Sequence, residues 1–273
     1  MPQDRLRSLI PAARRWMALL GVVLGLVGCV AQGPRTDNPE RTMASGQTDG
    51  GRRARVRLEL ASAYFGRGQN ETALDEVTQA LAADPDYAEA YNLRGLIYAA
   101  LGDARQADES FQRALQLRPD DADTMHNYGW FLCQERRYEQ AQAQFTRALA
   151  QPQYRAQTRT LLAQGVCQAR AGQLPMAERT LMRAYELDPS NPVTAVNLAE
   201  VLYRSGEYER ARFYIARVNV APEQSNAQTL WLAIRVENKL GDRGRLQQLA
   251  NELRGRFPQA PETLALERGR FDE

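Results

Sequence analysis

The 273-residue chain has one histidine, three cysteines and a single lysine, the other 34 basic residues being arginine. His126, Cys29, Cys133 and Cys167 supply few of the ligands that zinc sites use, which argues against a metalloenzyme. Lysine's near absence beside so much arginine reads as genomic bias. The formal net charge is only +2. Arg5, Arg7, Arg14 and Arg15, set against Asp4, account for more than that excess, so no basic surplus remains for nucleic acid. No apolar run reaches the ~20 residues that a bilayer-spanning helix needs. There is no nucleophile elbow, phosphate-cradling glycine loop, HExxH or CxxC, and no carboxylate pair is singled out by spacing. The expectation is a protein with no reaction, cofactor or small-molecule substrate. With 44% hydrophobic and 25% charged residues, the chain is an ordinary folded one rather than a mostly disordered one.

The N-terminus has the form of an address. The four arginines precede the apolar run Trp16 to Val27, and Gly28-Cys29 follows it. A positive segment, a short apolar segment and a small residue before the cut describe a secretory signal. Leu26-Val27-Gly28-Cys29 resembles the lipobox of bacterial lipoproteins. That resemblance implies a signal peptide over 1–28, cleavage before Cys29 and acylation of Cys29, where two or more chains suffice for stable anchoring. With Val30 next, it further implies the outer membrane, periplasmic face. From Val30 to about Gly51 the chain is rich in Gln, Gly, Pro, Thr, Asn, Asp and Arg. A stretch with so few large apolar residues reads as a flexible tether over 29–51.

The rest is periodic. Ala73, Ala107 and Ala141 are 34 residues apart, as are Ala80, Ala114 and Ala148, and Phe111 and Phe145. After a two-residue insertion near Ala156 the step resumes with Ala177 and Ala211. Six units fit, at about 54–87, 88–121, 122–155, 158–191, 192–225 and 226–259. Their eighth residues are small (Ala61, Gly95, Gly129, Gly165, Ala199, Ala233) and their twenty-fourth are apolar (Val77, Phe111, Phe145, Leu181, Ile215, Leu249). Small residues let paired helices approach and large ones fill the gap between them. Pro85, Pro119 and Pro189 end second helices. This is the tetratricopeptide (TPR) period. The pattern predicts an all-α, right-handed solenoid of six helical hairpins over 52–270, closed by a short capping helix within Pro261–Arg270. The outer units are atypical, as wet-faced terminal repeats are: Arg57 stands at a fourth position, and Arg245 and Glu252 stand where alanine is usual.

The concave face of such a solenoid is an extended binding surface. Counted along the first helices, its candidate members are Leu58, Phe65, Asn92, Leu96, His126, Asn127, Trp130, Leu162, Val166, Asn197 and Tyr203. Apolar and hydrogen-bonding groups together suit an extended peptide or a partner helix. Each of these residues also reads as a partly buried spacer between hairpins. His126, at a groove position, is a lining or stacking residue rather than a catalytic one. Leu58 and Phe65, if exposed, mark an apolar partner patch near the tether. Cys133 and Cys167 fall on first helices of adjacent hairpins, within reach of each other. In an oxidising compartment a disulfide is favoured, with two buried thiols as the alternative.

Asn127-Tyr128-Gly129-Trp130-Phe131-Leu132-Cys133, then Arg137-Tyr138-Glu139-Gln140-Ala141, resembles the third repeat of the type IV pilus biogenesis lipoprotein family called PilF or PilW. Gly165-Val166-Cys167-Gln168-Ala169-Arg170-Ala171-Gly172 and Leu230-Trp231-Leu232-Ala233-Ile234-Arg235-Val236-Glu237 extend the likeness. The resemblance implies a pilotin, an outer-membrane lipoprotein that binds the pilus secretin and promotes its localisation and multimerisation. It implies Cys29 as the acyl anchor and Cys133 and Cys167 as structural thiols. The rival expectation is a generic periplasmic TPR lipoprotein that scaffolds other envelope machinery, such as cell-wall hydrolases.

Overall fold

A computed structural model describes residues 49–271, and every regular element among them is a helix. The leader and Cys29 lie outside the described residues. The helices pair in order: α1 (Asp49–Phe65) with α2 (Asn70–Ala83), α3 (Ala88–Leu101) with α4 (Ala104–Leu117), and α5 (Ala122–Gln134) with α6 (Tyr138–Leu149). Then follow α7 (Gln157–Arg170) with α8 (Leu174–Leu187), α9 (Pro192–Arg204) with α10 (Tyr208–Asn219), and α11 (Ala227–Leu240) with α12 (Arg243–Arg256). A short α13 (Pro261–Glu267) packs on α11 and α12, as the first helix of a further repeat would. Each first helix also touches the next first helix, so α1, α3, α5, α7, α9 and α11 line one side of a solenoid. Asp49 to Gly51, expected in the tether, instead form the first turn of α1. There the Asp49 carboxylate pairs with Arg52 and complements the helix dipole.

The small-against-large arrangement is literal. A Cβ on Gly95 would lie 2.8 Å from the Phe111 ring, one on Gly129 2.9 Å from Phe145, and one on Gly165 2.5 Å from Leu181. In these three repeats the eighth residue is therefore the floor on which the twenty-fourth residue rests. All of these large side chains are fully buried. Each contributes roughly 1.5–3 kcal/mol of transfer free energy.

The wear at the ends has local compensations. Arg57 reaches Glu76 of α2 at 2.8 Å, an ion pair in place of an apolar contact, and Glu252 pairs with Arg256 one turn on. The turn inside each of the first five hairpins uses a left-handed residue at one fixed register: Gly68, Gly102, Arg136, Gly172 and Gly206, with φ of 73, 80, 60, 77 and 80°. In the third repeat alone an arginine takes this conformation.

The insertion between the third and fourth repeats also has a structural role. It carries Tyr154 into a buried cluster with Ala122, Met125 and Ala148. There the phenol oxygen lies 2.7 Å from the buried Thr160 hydroxyl.

Candidate functional site

The first-helix face is built from the repeat register upward, and the expected residues fall on it in three groups. Asn92, Leu96, Asn127, Trp130, Leu162, Val166 and Asn197 are half-buried, with part of each side chain open to solvent. The Asn127 amide donates to Asn92 Oδ1 at 3.2 Å across α3 and α5. The pair keeps an Asn92 amide donor and the Asn127 carbonyl oxygen for a ligand, the complement of an extended peptide's C=O and N–H. Trp130, on the next turn of α5, lies under the Arg170 guanidinium, 5.1 Å from the ring centroid. That fixes the indole as a platform at modest entropic cost. Asn197 donates instead to the Val193 carbonyl of its own helix at 2.8 Å.

The second group is buried. His126, expected as a lining residue, is only 8% exposed, and its Nδ1 lies 2.8 Å from Thr160 Oγ1. Burial first, and the nearby Arg159 charge second, lower its pKa to about 4. At neutral pH it is therefore an uncharged member of a His126–Thr160–Tyr154 chain inside the solenoid. Tyr203 is equally buried, beneath the Arg235 guanidinium at 4.4 Å. Neither residue presents a free surface, because the neighbouring first helix covers both.

The third group is the first repeat. Leu58 and Phe65 are half-buried against Ala61, Ala73, Val77, Leu93 and Ile97. The apolar side chains that α1 does expose are Val56, at 57%, and Leu60, at 40%. The large apolar side chains that α1 exposes are thus not the ones that periodicity singled out.

Charges frame the face in pairs. Arg159 meets Asp123 at 2.8 Å between α7 and α5, and Arg118 meets Glu89 at 2.9 Å. Both pairs are exposed and worth little to stability, but they mark the edge of the apolar strip. The open depressions lie elsewhere, among the loops. One is lined by Arg118, Asp120, Asp121 and Gln151 to Tyr154, and another by Pro189 to Pro192 with Arg217 and Val220. Among the described residues no three His, Cys, Asp or Glu side chains come together as a metal site.

Cys133 and Cys167 are bonded to each other, their Cα atoms 5.8 Å apart, joining α5 to α7 beside this face. The bridge holds the Trp130 and Val166 turns of adjacent helices in one register. The Arg136 turn, the burial of Tyr154 beside the insertion and the Phe271 tail were not legible from the repeat pattern. Each depends on a residue that departs from the period.

The comparisons with known proteins match this architecture. Tetratricopeptide repeat families match residues 61–102, 86–153 and 132–192. The type IV pilus assembly protein PilF of Pseudomonas aeruginosa is 28% identical over 237 residues, which is 87% of this chain and 91% of PilF. The crystal structure of PilW, a widely conserved type IV pilus biogenesis factor, superposes with a TM-score of 0.73 at 30% identity. That superposition covers 78% of this chain and 97% of PilW. The P. aeruginosa PilF structure shares the fold with a TM-score of 0.70 at 24% identity, over 81% of this chain and all of that one.

Proposed function

The chain belongs to the family of PilF and PilW, type IV pilus biogenesis proteins built from tetratricopeptide repeats, and from this premise we propose that it is a pilotin. It is a lipid-anchored, non-enzymatic adaptor of the outer membrane that binds the pilus secretin and promotes its localisation and assembly into a multimer. The observation that carries the reading is the continuous first-helix face, with its Asn92–Asn127 amide pair and Trp130 platform. It lies in a chain that matches PilF along nearly all of PilF's length. The lipobox ending in Cys29 supplies the anchor. Acyl chains hold the solenoid at the inner leaflet, and the face gathers secretin segments there. Ring assembly then gains from raised local concentration rather than from any chemical step.

The test is to run secretin from membranes of the source bacterium, with and without this gene, on a denaturing gel without boiling. Loss of the detergent-resistant multimer, restored by the wild-type gene, is the expected result. A Cys29→Ala form then separates anchoring from assembly: multimer that persists in the wrong membrane assigns Cys29 to sorting. An unchanged multimer in the outer membrane refutes the pilotin reading and leaves an envelope scaffold of other use.

A further inference from the structure

At the last repeat the first-helix face is occupied by the chain's own tail. Gly269, at φ 66°, reverses the backbone after α13, and the N–H groups of Gly269 and Arg270 bond back to Leu266 and Ala265 at 3.0 Å each. This turn lays Phe271 against α11. Its ring stacks on Trp231 with centroids 5.7 Å apart and planes 22° apart. Its carbonyl oxygen accepts from Arg235 Nε at 3.1 Å.

The seat is complete without its occupant. Trp231 and Tyr203 are buried members of the core of the last repeats. Arg235 is held by stacking on Tyr203 at 4.4 Å and by the Glu200 carboxylate at 3.9 Å. None of these contacts requires the tail. Phe271 is retained by one ring stack, one side-chain hydrogen bond and half-buried packing on the core of the last repeats, with no helix of its own beyond Glu267. A seat whose members are held by contacts of their own, occupied by a residue that lies outside any helix, is the arrangement of a binding site closed in cis. Binding to it by another segment needs little reorganisation.

We propose that Trp231, Arg235, Tyr203 and Glu200 form a peptide-binding seat for an extended segment of a protein partner that carries an aromatic side chain, and that Phe271 is its displaceable internal occupant. The chemistry of the seat sets the class. The indole face takes an aromatic ring, and the guanidinium donor takes the main-chain carbonyl of the same residue. Glu200 already offsets the Arg235 charge, so a neutral carbonyl is favoured there over a carboxylate. A tethered occupant acts at an effective concentration on the order of millimolar, so a partner must engage further repeats as well to displace it. The seat does not rest on the secretin reading, and its test uses no pilus component.

The probe is a fluorescein-labelled peptide of residues 268–273, Arg-Gly-Arg-Phe-Asp-Glu, titrated by anisotropy against the full chain and its variants. Phe271→Ala is expected to bind the peptide at least ten-fold more tightly than the wild type does, and so is a chain ended at Glu267. The same peptide with Ala for Phe should not bind, and Trp231→Ala added to Phe271→Ala should abolish binding. Equal binding by wild type and both opened variants overturns the proposal, as does equal binding of the Ala peptide. Loss of helical content by circular dichroism in both opened variants makes Phe271 a structural cap and overturns it too.

Discussion

The Arg235 guanidinium lies 4.4 Å from the centre of the Tyr203 ring, in the register that the Cys133–Cys167 bridge holds two repeats earlier. In both cases the twelfth residue of one repeat meets the tenth residue of the next. The same two positions hold Phe65 and Ile97, Ala99 and Phe131, and Ala169 and Val201 at the other junctions. One geometric slot between hairpins is thus filled by apolar packing, a covalent bond or a cation on an aromatic ring, according to the repeat. The two specialised fillings flank the fourth and fifth repeats, on the half of the face that carries Trp130, Val166 and the tail seat.

The bridge spans 34 residues of sequence with both cysteines buried. In the chain-entropy description, closing a loop of this size stabilises a fold by about 2–4 kcal/mol. The Cys133→Ala, Cys167→Ala double variant is expected to lower the free energy of urea unfolding by that amount. Because the sulfurs are inaccessible, the native protein should also resist dithiothreitol until it is unfolded. An unchanged urea midpoint would remove the bridge from the account of stability.

Arg136 holds φ at 60° where the corresponding residue of the other early hairpins is glycine. A side chain in the left-handed region costs roughly 1–2 kcal/mol, and glycine relieves that cost. Arg136→Gly is therefore expected to raise unfolding free energy by about 1 kcal/mol, measured by urea titration. Gly102→Arg, the reverse change at the equivalent turn, should lower it by a similar amount.

How much of this was legible in the sequence follows from what a period can encode. The hairpins, the small-against-large floor of Gly95, Gly129 and Gly165, and the pairing of Cys133 with Cys167 all repeat or sit at repeat registers, and the structure has them where the period put them. The groove residues were legible by position but not by exposure. His126 and Leu58 share one repeat position, yet His126 is buried against Thr160 of α7, which Tyr154 also meets, while Leu58 packs into the edge of the first repeat. Phe271 and Trp231 lie 40 positions apart in the chain, and nothing periodic relates them. Their contact depends on the reversal at Gly269.

The buried His126 carries a pH signature with a definite sign. Burial and the Arg159 charge hold its pKa near 4 in the folded chain, whereas the unfolded value is about 6.5. Between these values the unfolded state binds a proton that the folded state refuses, so stability falls as pH drops through that window. The slope is about 1.4 kcal/mol per pH unit from this group. His126→Gln is expected to cost stability at pH 7 through its lost packing and to flatten the decline between pH 6.5 and 4. Parallel curves for the two proteins across that window would show that His126 titrates normally.

The close approach of Gly129 and Phe145 sets two opposing effects against each other. Alanine is favoured over glycine in a helix interior by roughly 0.5–1 kcal/mol, so on propensity alone Gly129→Ala stabilises α5. Its Cβ, however, would lie 2.9 Å from the Phe145 ring, which is fully buried. Overpacking of this kind costs about 1–3 kcal/mol, so the expected net change is a loss on the order of 1 kcal/mol. The fifth repeat holds the alternative solution, Ala199 at the same position with Ile215 at the partner position, both fully buried. Phe145→Ile alone opens a cavity and destabilises, but combined with Gly129→Ala it reproduces the fifth repeat's pair. The double-mutant cycle by urea unfolding should therefore give a favourable coupling of at least about 0.5 kcal/mol. Strict additivity would mean that the backbone yields to the new methyl group and that the small floor residue is not what fixes the spacing of the hairpin.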